Sequence, residues 1–257
     1  MIVNACMRDG RGGSPTVVLP ETPMTDDERR RIPVAAGTSH AVFVAGDGAL
    51  RFFTAEGELP ACGHGTVAAL ARLGDFDGTL RTASREFRAR AVRRGDVVEA
   101  AFDAGHVDLR DPTASERDVV TALGGGVVAS GVRVASIGRP RLLVPVENRE
   151  SLTALRPDLA RLREACDGVG LLGCYVYSPP VDGRSAARMF APSIGVPEDI
   201  ANANSTACLA AHLGGAIAVD MGDSLGSPAT ITAAATGDGR VELGGIARIV
   251  APRTVLP

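Results

Sequence analysis

Two stretches of this chain repeat one design, and that design restricts what can be built around it. In the first, Arg51-Phe-Phe-Thr54 opens as a strand. A turn follows through Glu58-Leu59-Pro60, then Cys62-Gly63-His64-Gly65-Thr66, then a helix of almost nothing but Ala, Val and Leu to Leu70. The second runs from Arg188-Met-Phe190 through Pro197-Glu-Asp199 and Asn202-Ala-Asn204-Ser205 into another helix of small apolar residues. That helix is expected to continue through Gly214-Gly-Ala-Ile-Ala-Val219. A helix that is apolar on every side has to be wrapped by other structure, and small side chains let a curved sheet close tightly about it. Two such units predict an internally duplicated chain with two related lobes. A cleft between lobes is where small ligands usually bind.

The first unit also carries chemistry. Glycines flank His64, so the backbone there can come close to a ligand. The turn leads into a helix N-terminus, where free amides and the dipole favour an anion. A glycine pair before a helix also suits a plain turn, and a lone histidine often is a satisfied polar group. Spacing alone leaves these readings even; the second copy favours a site. Both helix N-termini can then aim at one substrate from opposite sides.

Composition removes several function classes. The 257 residues suffice for two medium lobes or one large domain, and at 45% apolar they can bury a real core. A net charge of -3 with no basic stripe argues against a nucleic-acid partner. All 27 basic residues are arginine. Without a lysine the chain cannot form a Schiff base to a substrate or to pyridoxal phosphate. The five cysteines (6, 62, 166, 174 and 208) show no C-x-x-C or metal spacing. Reduced thiols and no metal are therefore expected, in a cytoplasmic protein. The N-terminus reads as a strand rather than a signal peptide, and no uncharged apolar run is long enough to span a bilayer.

Along the chain, Arg8-Asp-Gly-Arg-Gly-Gly-Ser-Pro15 fits neither phosphate-loop pattern and reads as a hairpin loop. Thr25-Asp-Asp-Glu28 is a capping box for a short helix ending at Pro33. His40 shares a strand face with Val42 and Val44. Strands near 79–84, 87–93 and 97–103 form a meander with a solvated, arginine-rich face. Asp111 to Ser115 looks like a linker. Strands near 132–137 and 141–146 come next, then helix from Ser151 to Ala165 broken at Pro157, and strands at 171–177, 229–234 and 240–250. The organisation expected is a first lobe over 1–110 and a second over 111–247.

These segments resemble the phenazine-biosynthesis (PhzF-like) proteins, which share the diaminopimelate-epimerase fold. The resemblance is carried by Gly12-Gly-Ser-Pro15, Ser39 to Val44, Arg51 to Thr66, Ile137 to Pro145, Arg188 to Pro192, Pro197-Glu-Asp199, Leu225-Gly-Ser-Pro228 and Val241 to Gly245. They keep the family's order over nearly the whole chain. The resemblance implies an α+β fold of two pseudo-symmetric lobes, each a curved, mostly antiparallel sheet around a central apolar helix, with the last residues, 248–257, returning to complete the first lobe. It implies that His64 touches the substrate or relays a proton. It implies that the Gly63 amide meets a substrate carboxylate and that Asp199 bonds substrate polar groups. Gly65, Thr66, Asn202, Asn204 and Ser205 complete the expected binding turns. Where the family has a proton-moving glutamate, this chain has His40, and an imidazole can shuttle protons near neutral pH. His40 as a core residue is the bland alternative. The family's Thr-Gly-Ser type turn is replaced by Asn202-Ala-Asn204-Ser205. Cys62 occupies the first of the two cysteine positions used by related epimerases, but the second, near Ala201, holds none.

The function expected is a cofactor-independent isomerase shifting a proton and a double bond on a small carboxylate-containing natural-product intermediate, with His40, Cys62, His64 and Asp199 as its catalytic residues. An amino-acid epimerase or a dehydratase using Cys62 is the enzymatic alternative. A small-molecule-binding protein that kept the fold and lost the chemistry is the other. A homodimer is expected from the resemblance.

Overall fold

The computed structural model describes residues 1–128 and 130–250. The chain begins with β1 (Ile2–Ala5), β2 (Ser14–Pro20), α1 (Asp26–Ala35), β3 (His40–Val44), β4 (Leu50–Phe53), β5 (Glu58–Leu59) and α2 (Gly63–Leu73). The arginine-rich meander follows as β6 (Phe76–Arg81), β7 (Glu86–Arg94) and β8 (Val97–His106). Next come β9 (Asp108–Arg110) and α3 (Ala114–Asp118), which tightens into a 3-10 turn at Val119–Leu123. The remainder is β10 (Arg133–Ile137), β11 (Arg139–Pro145), α4 (Arg149–Ala154), α5 (Leu159–Val169), β12 (Cys174–Tyr177), β13 (Arg184–Ala191), β14 (Val196–Asp199), α6 (Ala203–Leu213), β15 (Ala216–Met221), β16 (Ala229–Ala235) and β17 (Arg240–Val250).

The duplication expected from the two small-residue helices is written into the strand pairing. β1 to β4 pair in the order antiparallel, parallel, antiparallel, and β10 to β13 repeat that order. In each half a helical crossover separates the parallel pair: α1 in one, α4 and α5 in the other. A further antiparallel strand then leads into the small-residue helix, β5 into α2 and β14 into α6. β17 joins the halves. It pairs with β16 and β8 along its first part, and Arg248, Ile249 and Val250 pair with Asn4, Val3 and Ile2. Residue 110, the expected boundary, falls in β9, which pairs with β10. Residues 251–257 of the expected completing tail lie outside the described residues.

The two helices are enclosed as their composition requires. Strands β1, β2, β3, β7, β8 and β17 surround α2, and β9, β10, β11, β15, β16 and β17 surround α6. Val67 to Ala71 of α2 and Ala207 to Ala210 of α6 belong to one continuous core. Fully burying a side chain such as Leu70 or Leu209 is worth roughly 1.5–3 kcal/mol, while the alanines let strands approach closely. Outer layers cover the sheet elsewhere. On one side, Arg29 of α1 is buried over the Phe43 and Phe53 rings, 5.3 and 5.8 Å from their centroids, and ion-paired with Glu21. On the other, Leu152, Leu162 and Cys166 of α4 and α5 pack on Leu142, Val144 and Phe190.

Two helix ends differ from the sequence expectation. α1 does not stop at Pro33 but continues to Ala35. Proline lacks one N–H, so only the bond to the residue four back is lost, and the amides of Ala36 and Thr38 still close onto the carbonyls of Ile32 and Pro33. α6 ends at Leu213 rather than running on to Val219. Gly214 takes the left-handed conformation (φ 72°, ψ 27°) and donates its N–H to the Ala210 carbonyl, a common glycine stop. The apolar residues beyond it form β15, with Ile217, Val219 and Met221 facing the core. No helix among the described residues is long and apolar enough to cross a membrane.

Candidate active site

His40 begins β3, whose register with β2 pairs it with Thr16. Strand alternation puts it on the face of Val42 and Val44, toward α2, while Ala41 and Phe43 face the outer layer. Its Nδ1 lies 2.8 Å from Ser39 Oγ, which fixes the ring. His64 is the second residue of α2. Cys62, the residue before that helix, is extended (φ -145°, ψ 111°) and its side chain caps no amide. The first amides of α2 are therefore left for a ligand.

The second half contributes from the facing side. Asp199 ends β14 and is buried. Its Oδ2 accepts from Asn202 Nδ2 at 2.9 Å, and Asn202 Oδ1 accepts the Ser205 N–H at 2.9 Å, which caps α6. The two helix starts meet closely. A Cβ added to Gly63 would lie 2.4 Å from Ala203 Cβ and 3.1 Å from Asn204 Oδ1. Only glycine lets the two chains approach to that distance.

One small hollow collects these groups. About 60 Å³ in volume, it is lined by His40, Cys62, Gly63, His64, Asp199, Asn202 and Asn204, closed by Leu59, Ile137, Leu172 and Ile194. Across Cys62, Gly63 and Asn204 it adjoins a wider hollow of about 230 Å³. The rings of His40 and His64 meet edge to face, with centroids 4.4 Å apart and planes at 86°. Cys62 Sγ is 3.6 Å from His64 Nε2 and 3.8 Å from Nδ1, nearly equidistant from both nitrogens.

The two imidazoles are pushed in opposite directions. Burial lowers the His40 pKa well below its ordinary value, and the charge on His64 lowers it further. Burial also lowers His64, but the contact with Cys62, the charge of Asp199 and the carbonyl of Ala201 outweigh it. Its pKa is raised to about 9. Near neutral pH the pair is thus a neutral imidazole beside an imidazolium, the poise of a base and an acid set by their surroundings. Donor atoms of His40, Cys62 and His64 also lie within 4.8 Å of one another, so the same trio could hold a metal ion.

Not every residue expected from the sequence lines this hollow. Gly65 is turned into the core, where a Cβ would lie 2.9 Å from the Phe52 ring and 3.0 Å from Cys62 Sγ. Thr66 lines only the wider hollow and donates its hydroxyl to the Cys62 carbonyl at 2.9 Å. Ser205 sits behind Asn202 and Asn204, fully buried. Cys208 is in the core. The sequence reading assigned no role to Arg139 and Arg141, which both line the inner hollow. On β11, Leu143 shares the face of Arg141 while Leu142 and Val144 pack on the outer layer; because both faces are buried, no alternation in the sequence marks Arg141 as inward-facing.

Comparison with known proteins agrees with this architecture. Residues 7–252 match the family model described as phenazine biosynthesis-like protein. An uncharacterized isomerase of Deinococcus radiodurans is 30% identical over 224 residues, covering 79% of this chain and 72% of the relative. The trans-2,3-dihydro-3-hydroxyanthranilate isomerase of Pseudomonas aeruginosa is 28% identical over 259 residues, covering 93% and 91%. Among solved structures, a predicted epimerase from Pseudomonas aeruginosa superposes with a TM-score of 0.82 at 28% identity, covering 100% of this chain and 98% of its own. With its match covering residues 7–252, nearly the whole chain, this chain belongs to the phenazine biosynthesis-like (PhzF) family and is an isomerase.

Proposed function

We propose that this isomerase moves a proton, and with it a double bond, on a small carboxylate-bearing intermediate of a natural-product pathway, without a cofactor. The observation that carries the reading is the His40–His64 pair: two buried rings in contact, whose surroundings push the pKa of His40 down and that of His64 up to about 9. His40 takes a proton from a carbon next to a carbonyl or a double bond. The electron pair left behind spreads along the unsaturated system. The amides at the start of α2 and the imidazolium of His64 stabilise that charge, and the proton is returned at a distant carbon. The inner hollow suits only the reacting carbons and the acid group. The rest of the substrate extends into the wider hollow. A dihydro ring acid, the kind of compound named for the Pseudomonas aeruginosa relative, has both the acid group and the movable double bond this chemistry needs.

Turnover in deuterated water tests the reading. Product should carry solvent deuterium at the carbon that gains the proton. His40→Ala should lose roughly 10²–10⁴-fold in kcat, the usual worth of a positioned acid–base group. Turnover in that variant equal to the parent's would remove His40 from the reaction. Treatment with a chelator separates the proton-transfer reading from a metal-bound one. Activity should be unaffected; a loss restored by added zinc would make His40, Cys62 and His64 ligands instead.

A further inference from the structure

Arg141 lies on β11 with its side chain on the α6 side of the sheet, only 2% exposed. Its Nη1 donates to Ser205 Oγ at 3.2 Å and its Nη2 to the Arg139 carbonyl at 2.7 Å. Its buried Nε–H finds no acceptor. Among the described residues no carboxylate forms an ion pair with it. Other shielded arginines of this chain do have such partners: Arg29 pairs with Glu21 and Arg188 with Glu198. Two contacts satisfy less than half of a guanidinium's five donors. A buried cation without a counter-charge costs several kcal/mol of desolvation, and an apolar residue of similar size is usually the more stable choice. Burial indeed pulls the Arg141 pKa below the usual arginine value, with the nearby Arg139 charge adding to that. The side chain is nonetheless held in place by two neutral acceptors and borders the hollow shared by His40, His64 and Asn204.

We propose that Arg141 is the residue that recognises the substrate's carboxylate. Its Nε–H and the unused Nη–H bonds form a planar fork that matches a carboxylate's two oxygens. The start of α6 adds to the same seat, because Asn202 caps the Ser205 amide and the Ala203 and Asn204 amides precede the helical bonding pattern. The α2 amides and His64 are then free to serve the charge that develops during reaction. The substrate class that follows is a free carboxylic acid, not its amide or ester. This assignment rests on the inner hollow being the isomerase site.

Binding of benzoate, with benzamide as its neutral counterpart, tests the assignment on the full chain by calorimetric titration. The parent should bind benzoate and prefer it to benzamide. Arg141→Met should lose about tenfold or more in benzoate affinity, as expected for a charge-assisted fork. Its benzamide affinity should be unchanged, and its melting temperature equal to or above the parent's. Arg141→Lys, which keeps the charge and loses the fork, should fall between. Benzoate affinity in Arg141→Met within about twofold of the parent's, or no preference of the parent for benzoate, would overturn the proposal. Because this titration needs no turnover, it stands apart from the deuterium test. Should His40→Ala leave turnover intact while Arg141→Met still loses benzoate, the catalytic reading fails and the recognition site remains.

Discussion

Two histidines of the same type are pushed in opposite directions here, and the difference is made by what each one touches. His40 faces apolar strands, a serine hydroxyl and a second imidazole, so its protonated form is penalised. His64 faces Cys62, Asp199 and the Ala201 carbonyl, so its protonated form is favoured. Rate should follow. The acid limb of kcat/KM is expected below 6.5, the ordinary imidazole value, because His40 stays neutral there. The alkaline limb should lie near 9, where His64 loses its proton. His64→Gln should abolish the alkaline limb along with most of the rate. Fold stability titrates with the same groups. The contribution of His64 is complete below 6.5 and fades as pH rises through about 9. The penalty from His40 appears only as pH falls below 6.5, where the unfolded chain takes up a proton that the folded chain resists. An alkaline limb that persists in His64→Gln would show that another group sets it. At this scale the sequence was informative where a residue sat in a distinctive setting: His64 between glycines, Cys62 before a helix, Asp199 in a matching turn. Arg141 was hidden because one arginine among the 27 basic residues reads as surface, and β11, buried on both faces, has no alternation to mark it as inward-facing.

The two small-residue helices owe their positions to a near-absence of side chain where they meet. Gly63 and Ala203 are the first residues of α2 and α6, and any larger group at either would part the helix starts and open the hollow. Gly63→Ala adds one methyl 2.4 Å from Ala203 Cβ. Overpacking of this kind costs typically about 1–3 kcal/mol, and the separation it forces would also misalign Asn204 and His64. Both a lower melting temperature and a lower kcat are expected. Gly125→Ala, where nothing lies within 4 Å of the added methyl, is the control and should stay within about 0.5 kcal/mol of the parent. A Gly63→Ala protein as stable and active as the parent would mean that the helix starts are not in fixed contact. The helices themselves were legible because a run of Ala, Val and Leu with no polar face permits only burial. The end of α6 was marked too, by Gly214-Gly215, a common glycine stop, but the residues beyond stay just as apolar, which invites reading the helix on to Val219.

At the scale of the whole molecule, duplication raises the question of whether the halves are separate folding units. Internal repetition would suggest two, but β17 argues for one. This strand hydrogen-bonds to β16, to β8 and, at its end, to β1, and it packs on both α2 and α6. Neither helix can be fully enclosed without it. The residues that enclose them belong to one core that includes Leu70 and Leu209 alike. Local pattern could not give the pairing of β17 with β1, because it reports which residues face inward but not which distant strand lies alongside; the return of the chain's end to the first lobe was expected only from the family resemblance. Its consequence is measurable. Heating should give a single transition, with the calorimetric enthalpy equal to the van't Hoff value. A change at the shared strand should lower that transition as a whole. Gly244 tests this directly: a Cβ there would lie 2.6 Å from Thr232 Oγ1 and 3.3 Å from the Ala100 carbonyl, between β16 and β8. Gly244→Val should therefore lower one melting temperature without splitting it. Two resolved transitions, only one of them moved by the substitution, would mean that each half encloses its helix alone and that the hollow lies between independently stable bodies.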